Sequence, residues 1–293
     1  MWKPLIFLVG TAVTVTAMTA NAIAEPSGSP VLWVDASDAS TIFDDAGVNP
    51  GGIGFNASSI QEWRDKSSSG YVFEALGLSH ASPAIANVTG SDTDPVWVDG
   101  VQNGLPVIRF EGAAALGDPV EGQATGLPLD AEPRRVFAAI IPRAGPVTGY
   151  FNYGNDSAQG NWHNMFVYDG GAGGYNYLAG KSEDAPAGNA GGISNGTPYI
   201  VEFAYDGASS AEWFTNGTTD AGTITVGGSP PLNTALDVVR LGRELGQTGD
   251  VDLLELVVYN ESNQTANRNA TGSYLASKWD ITTTYVAGPP PSR

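Results

Sequence analysis

The chain has no cysteine, which excludes a disulfide framework, a thiol nucleophile and every thiolate metal site. Histidine is nearly as scarce. His80 and His163 are the only two, too few and too far apart in sequence for an imidazole-ligated zinc centre. Positive charge is also in short supply: Lys and Arg total 13 against 31 Asp and Glu, a formal net charge of −18. Only Lys3, Lys66, Lys181 and Lys278 are lysines. A surface of this sign repels phosphate backbones and anionic lipid, so nucleic acid and acidic membranes are poor partners. It suits salty surroundings, where self-repulsion is screened. No Gly-x-Ser-x-Gly elbow is present, and the Gly-rich stretches lack the Lys and following helix of a phosphate loop.

Glycine (38) and proline (19) are plentiful and point to many turns, while 7 Trp, 11 Tyr and 10 Phe are ample for a core. The N-terminus reads as a secretory leader. Lys3 precedes an apolar stretch from Leu5 to Met18, and Ala22-Ile23-Ala24 is a small-residue cleavage pattern. Cleavage after Ala24 would take Lys3 with it and bring the charge to −19. An uncleaved membrane anchor is the alternative reading of the same segment. No second long apolar run follows, so no membrane span is expected after signal cleavage. The expected organisation is a signal peptide at 1–24, one domain at 25–287 and a Pro-rich tail at 288–293.

Within that domain, short apolar runs alternate with turn signals. They lie at 31–34, 60–63, 71–73, 96–98, 105–110, 136–141, 150–153, 165–168, 175–178, 199–205, 212–215, 223–226, 238–241 and 253–259. Strand-length runs at this spacing predict a sandwich or barrel. Asn216-Gly217 predicts a tight hairpin, because a type I′ turn needs positive φ at both positions. The run 253–259 is apolar on both faces and reads as a central strand covered on both sides. Ser262 to Trp279 reads as the one helix. The segments 77–95 and 169–196 read as long loops.

Several stretches in order carry a family likeness: Leu32-Trp33-Val34-Asp35-Ala36, Trp63-Arg64-Asp65-Lys66-Ser67, Asn103-Gly104 through Phe110, Val201 to Asp206, Phe214 to Gly217, Asp252 through Asn260, and Tyr274-Leu275-Ala276-Ser277-Lys278-Trp279. The chain resembles the bacterial laminin-G-like jelly-roll family, within the concanavalin A-like lectin/glucanase fold, over roughly residues 30–285. The resemblance implies an all-β, two-sheet antiparallel jelly-roll sandwich, here with a short C-terminal helix. It also implies secretion or surface display and binding of an extracellular glycan or cell-surface polymer, sometimes with calcium. It does not fix an activity, since the fold hosts lectins, hydrolase modules and structural parts. Trp33, Trp63, Phe110, Tyr259 and Trp279 are expected in the core.

Three constellations offer chemistry. Asp250, Asp252 and Glu255 approach the Glu-x-Asp-x-x-Glu pattern that some glucanases of this fold carry, and retaining glycoside hydrolysis needs two carboxyls about 5–5.5 Å apart. The 250-to-255 spacing is odd, so a regular strand would put those two on opposite faces unless a β-bulge intervened. The other reading makes these acids ordinary members of a late strand. Asp35, Asp38, Asn155 and Asp156 lie in acidic loops whose oxygens suit Ca2+, with solvated loops as the alternative. Trp162, His163, Asn164, Tyr175 and Tyr177 are a candidate sugar site, because aromatic faces stack on sugar rings while amides bond hydroxyls. The alternative makes Tyr175 and Tyr177 plain strand residues on one side of a sheet. The expected functions are a lectin-like or adhesive glycan-binding domain, a structural subunit capable of self-association, or a hydrolase or lyase using Asp252 and Glu255.

Overall fold

A computed structural model describes residues 25–75, 94–112, 114–117, 126–144, 147–154, 162–168, 174–178, 184–186, 194–208, 210–225, 232–242, 250–261 and 265–286. The predicted leader 1–24, most of the two predicted loops and the tail 288–293 lie outside these residues. The apolar runs form strands in chain order: β1 (Leu32–Asp35), β2 (Ile42–Asp44), β3 (Ile60–Arg64), β4 (Val72–Ala75), β5 (Val96–Gln102), β6 (Leu105–Phe110), β7 (Leu116–Gly117), β8 (Arg134–Ala144) and β9 (Val147–Gly154). The series continues with β10 (Trp162–Tyr168), β11 (Gly174–Leu178), β12 (Asp184–Pro186), β13 (Tyr199–Tyr205), β14 (Ser210–Thr215), β15 (Thr218–Thr225), β16 (Val238–Leu241) and β17 (Asp250–Tyr259), and it closes with the helix α1 (Thr265–Trp279).

These strands make two antiparallel sheets and no closed barrel. The first runs β15-β14-β13-β8-β17-β6-β5 with β1 also paired to β17, and the second runs β12-β11-β10-β9-β16-β7-β4-β3-β2. Residues facing inward from both sheets form one core. Val136, Val201, Phe203 and Leu256 from the first sheet meet Trp63, Phe73, Phe151 and Leu241 from the second. Every one of these is fully buried. A second apolar cluster lies on the other face of the first sheet, where Phe137, Ile200, Leu254 and Val257 pack against Tyr274, Leu275 and Trp279 of α1. That double covering explains why β17 is apolar on both faces. Trp33 and Tyr259 belong to the helix side, and Trp63 and Phe110 to the sandwich interior.

Two hairpins are set by their turn residues. Asn216 (φ 50°) and Gly217 (φ 83°) link β14 directly to β15, so the second strand starts five residues before the apolar run at 223. Asn103 (φ 52°) and Gly104 (φ 71°) make the equivalent turn between β5 and β6. Both need the left-handed region, which Asn and Gly tolerate.

Gly272 sits inside α1 beneath Tyr285. A β-carbon there would lie 2.3 Å from the Tyr285 ring, which is buried and bonded through its hydroxyl to Glu202 at 2.9 Å. Gly272→Ala would add about 1 kcal/mol of helix propensity, yet overpacking costs about 1–3 kcal/mol. The expected outcome in urea unfolding is a net loss of about 1 kcal/mol, against the helix propensity scale.

Candidate functional site

Of the acidic candidates, Asp35 on β1 and Glu255 on β17 meet through a shared lysine, whereas Asp250 and Asp252 bind other partners and Asp252 lines a cavity. The pairing of β17 with β8 slips between Leu253 and Glu255. Leu253 lines the sandwich interior, as do Leu256 and Val258. The extra residue therefore turns both Asp252 and Glu255 to the outer face, the effect of a β-bulge. Asp252 binds Arg109 bidentately, at 2.7 Å to Nε and 2.9 Å to Nη2. Asp250 accepts the backbone N–H of Gly112 at 2.9 Å.

Glu255 is fully buried under α1. Its Oε1 accepts Trp33 Nε1 at 2.7 Å and the Tyr274 hydroxyl at 2.7 Å. Its Oε2 accepts Lys278 Nζ at 2.8 Å and Trp279 Nε1 at 2.9 Å. Four donors saturate the carboxylate and leave no free edge for a substrate. The same ammonium donates to Asp35 Oδ1 at 2.6 Å and to the Tyr274 hydroxyl at 3.2 Å. Asp35 Oδ2 takes Lys66 at 3.1 Å, and Lys66 also reaches Asp38 at 2.8 Å. Two ammonium groups therefore stand where the calcium reading would put a cation beside Asp35 and Asp38. Asn155 and Asp156 lie outside the described residues, and among the described residues no group of three or more metal-ligating side chains occurs.

Burial pushes the Asp35 carboxyl up, but Lys278, Lys66 and Ser37 outweigh it and hold the group below the ordinary aspartate value. Glu255 goes the other way. Burial, then the neighbouring charge of Asp35, raises it more than Lys278 and Tyr274 lower it. One ammonium shared by two carboxylates cannot hold both down, and Asp35 has the second lysine.

A cavity of about 480 Å³ opens at the Arg109–Asp252 pair, lined by Val101, Gln102, Arg109, Ile141, Arg143 and Asp252 among others. Arg143 Nη2 pairs with Glu111 at 3.0 Å at its edge.

The sugar-site candidates divide by register. His163 is fully buried in the sandwich interior, stacked on Tyr153 at 4.7 Å with Phe151 and Phe203 edge-on. Its ring therefore cannot meet a ligand from solvent, which corrects its place in the surface site. Tyr177 pairs with Met165, a core residue, and Tyr175 pairs with Val167 two positions on, so these register positions belong to the core-facing side. Trp162 and Asn164 occupy the register positions of β10 that alternate with His163 and Met165.

The face turned away from the core carries an in-register row that the sequence pattern does not display. Glu62 pairs with Glu74, Glu74 with Gly117, Gly117 with Arg240, Arg240 with Asn152, and Asn152 with Asn164. Polar positions thus align over six of the sheet's nine strands, from β3 to β10, with Gly117 between them and short of the edge strands β2 and β12. Arg240 (4% exposed) and Asn152 (0%) are buried, while Glu62 and Glu74 are half-buried. At the Glu62 end a groove of about 380 Å³ is lined by Phe43, Asp44, Gln61, Glu62, Arg64 and Glu74 among others. Arg64 bonds Glu62 and lies 4.1 Å over the Phe43 ring.

No family model matches the chain, and no curated protein sequence does. Solved structures match by shape. A mutant GH54 α-L-arabinofuranosidase soaked with 4-nitrophenyl α-L-arabinofuranoside aligns at a TM-score of 0.59 with 13% identity, over 90% of this chain and 65% of that one. An arabinofuranosidase complexed with arabinofuranosyl-α-1,2-xylobiose aligns at 0.58 with 14% identity, over 92% and 63%. The chain thus spans just under two thirds of the length of either. At these identities the likeness shows the β-sandwich fold alone.

Burial and the nearby Arg134 hold His163 well below the ordinary histidine value, so it stays neutral in the fold. A depressed folded value contributes stability above the unfolded value near 6.5, and that stability is lost as pH falls below it, by about 1.4 kcal/mol per pH unit for one proton. Urea unfolding between pH 7 and 5.5 should show this slope, and His163→Phe should flatten it. At the cluster, Lys278→Met leaves two buried carboxylates short of a cation. It should cost about 3–5 kcal/mol, read from the urea midpoint.

Proposed function

We propose that the chain is a secreted, lectin-like domain of the laminin-G-like jelly-roll type that binds an extracellular glycan on the outer face of its second sheet. The polar row from Glu62 to Asn164 carries this reading. A sheet face turned away from the core is usually a mixture of solvated side chains, but here polar positions align in register over six strands with only Gly117 between them. Two like charges stand directly opposite each other in Glu62 and Glu74, an arrangement that costs stability. Arg240 and Asn152 are buried, so the half-buried carboxylates of Glu62 and Glu74 are the groups of the row placed to bond sugar hydroxyls, and the groove they line has the size of a small-ligand site. The first sheet supports the choice by contrast, since α1 covers much of its outer face.

The described residues contain no helix long and apolar enough to cross a membrane. Export rests on the leader pattern before Glu25, and the acidic composition suits an extracellular polymer in salty surroundings. Calcium is proposed as a ligand-bridging ion, with Asn155 and Asp156 as its expected oxygen donors.

A glycan array of neutral and acidic polysaccharides, run with and without EDTA, tests the proposal. Binding to at least one class is expected. Glu74→Gln and Trp162→Ala should each weaken it about tenfold, which corresponds to about 1.4 kcal/mol. No binding to any polysaccharide, or binding that both variants leave unchanged, contradicts the assignment to this face.

A further inference from the structure

The Lys278, Asp35 and Glu255 cluster is more than the fold requires of a salt bridge. The Lys278 ammonium is 4% exposed and touches the Asp35 carboxylate at 2.6 Å, with the Glu255 carboxylate 2.8 Å from the same nitrogen. Trp33, Tyr274 and Trp279 surround the three groups and donate to Glu255. An amine, a carboxyl and a second carboxyl able to carry protons between them are the parts needed to form an amide. Water normally prevents this reaction by mass action, and a closed apolar site removes water. Holding the partners in contact supplies the effective concentration that dilute groups lack.

We propose that Lys278 and Asp35 condense into an intramolecular isopeptide bond, with Glu255 as the proton relay. The nitrogen attacks Asp35 Cγ and an N–C bond forms. Lys66, which donates to Asp35 Oδ2 at 3.1 Å, stabilises the negative charge that grows there. Glu255 passes two protons, one after the other, from the nitrogen to Oδ1. The Cγ–Oδ1 bond breaks and one water leaves. Overall an ammonium and a carboxylate become an amide plus water, with no oxidant, no cofactor and Glu255 unchanged. The remaining amide N–H still points at Glu255 Oε2. Asp35 is chosen over Glu255 as the electrophile because Glu255 is already held by two indoles and a phenol, and because Lys278 lies nearer Asp35.

The bond would join β1 to the end of α1 across 243 residues. A chain without cysteine has no disulfide to do this. It would also remove two opposite charges from the interior, while Lys66 keeps its pair with Asp38 and Glu255 keeps its donors Trp33, Tyr274 and Trp279.

Mass spectrometry of the purified chain, with its N-terminus identified, is the test. The intact mass is expected to fall short of the sequence by one water. Proteolysis should yield a branched peptide joining the segment of Asp35 to that of Lys278. Glu255→Gln and Lys278→Arg, checked for folding by circular dichroism, should both restore the full mass. Mapping on the wild type decides the matter even where a variant does not fold. A full-length mass in folded wild-type protein, a lost water that maps to a succinimide elsewhere, a branch at Glu255, or a bond that survives in folded Glu255→Gln each overturns the proposal.

Discussion

A fully buried carboxylate is tolerable only when its hydrogen bonds are all made, and Glu255 makes four of them to groups from two other elements. Trp33 comes from β1, while Tyr274, Lys278 and Trp279 come from α1. None can shift by a turn without stranding a charge. The carboxylate therefore specifies where the helix lies on the first sheet, which apolar packing alone would leave loosely defined. Leu254, the residue displaced by the β17 bulge, packs under the helix beside it.

The same device recurs at the other end of the helix. Glu202, fully buried on β13, accepts Arg268 Nε at 2.8 and 2.9 Å and the Tyr285 hydroxyl at 2.9 Å, and it pairs with Arg135. Burial, then the charge of Arg268, pushes Arg135 down to about 10. Two buried acids thus pin α1 near its start and its end. With α1 covering part of that face, the cavity beside Arg109 and Asp252 remains open on the first sheet and the groove at Glu62 and Glu74 on the second.

Much of the fold was legible in the residues. Strand-length runs, the Asn216-Gly217 turn and the doubly apolar 253–259 segment all predict a sandwich with a covered central strand, and the structure has them. The helix starts at Thr265, and Ser262, where the sequence reading placed its start, lies outside the described residues. The short strands β2, β7 and β12 escaped notice because two or three residues carry no period. The site was less legible. The odd spacing of Asp250 and Glu255 says nothing of the bulge that brings Asp252 and Glu255 to one face. Glu62, Glu74, Arg240 and Asn152 become neighbours only through the register of distant strands. A signal for the buried cluster did exist: Lys66 and Lys278 are two of only four lysines, and each sits inside an aromatic-flanked stretch of the family likeness. Rare cations in an acidic chain need acidic partners, but the sequence does not say which.

Native-state hydrogen exchange tests most directly whether the buried carboxylate makes α1 an integral part of the fold. Amides from Thr271 to Trp279 and those of β17 should exchange only through global unfolding, with the same opening free energy and the same urea dependence. Exchange of the helix at markedly lower free energy than β17 would mean that α1 lifts off on its own, and would contradict the account.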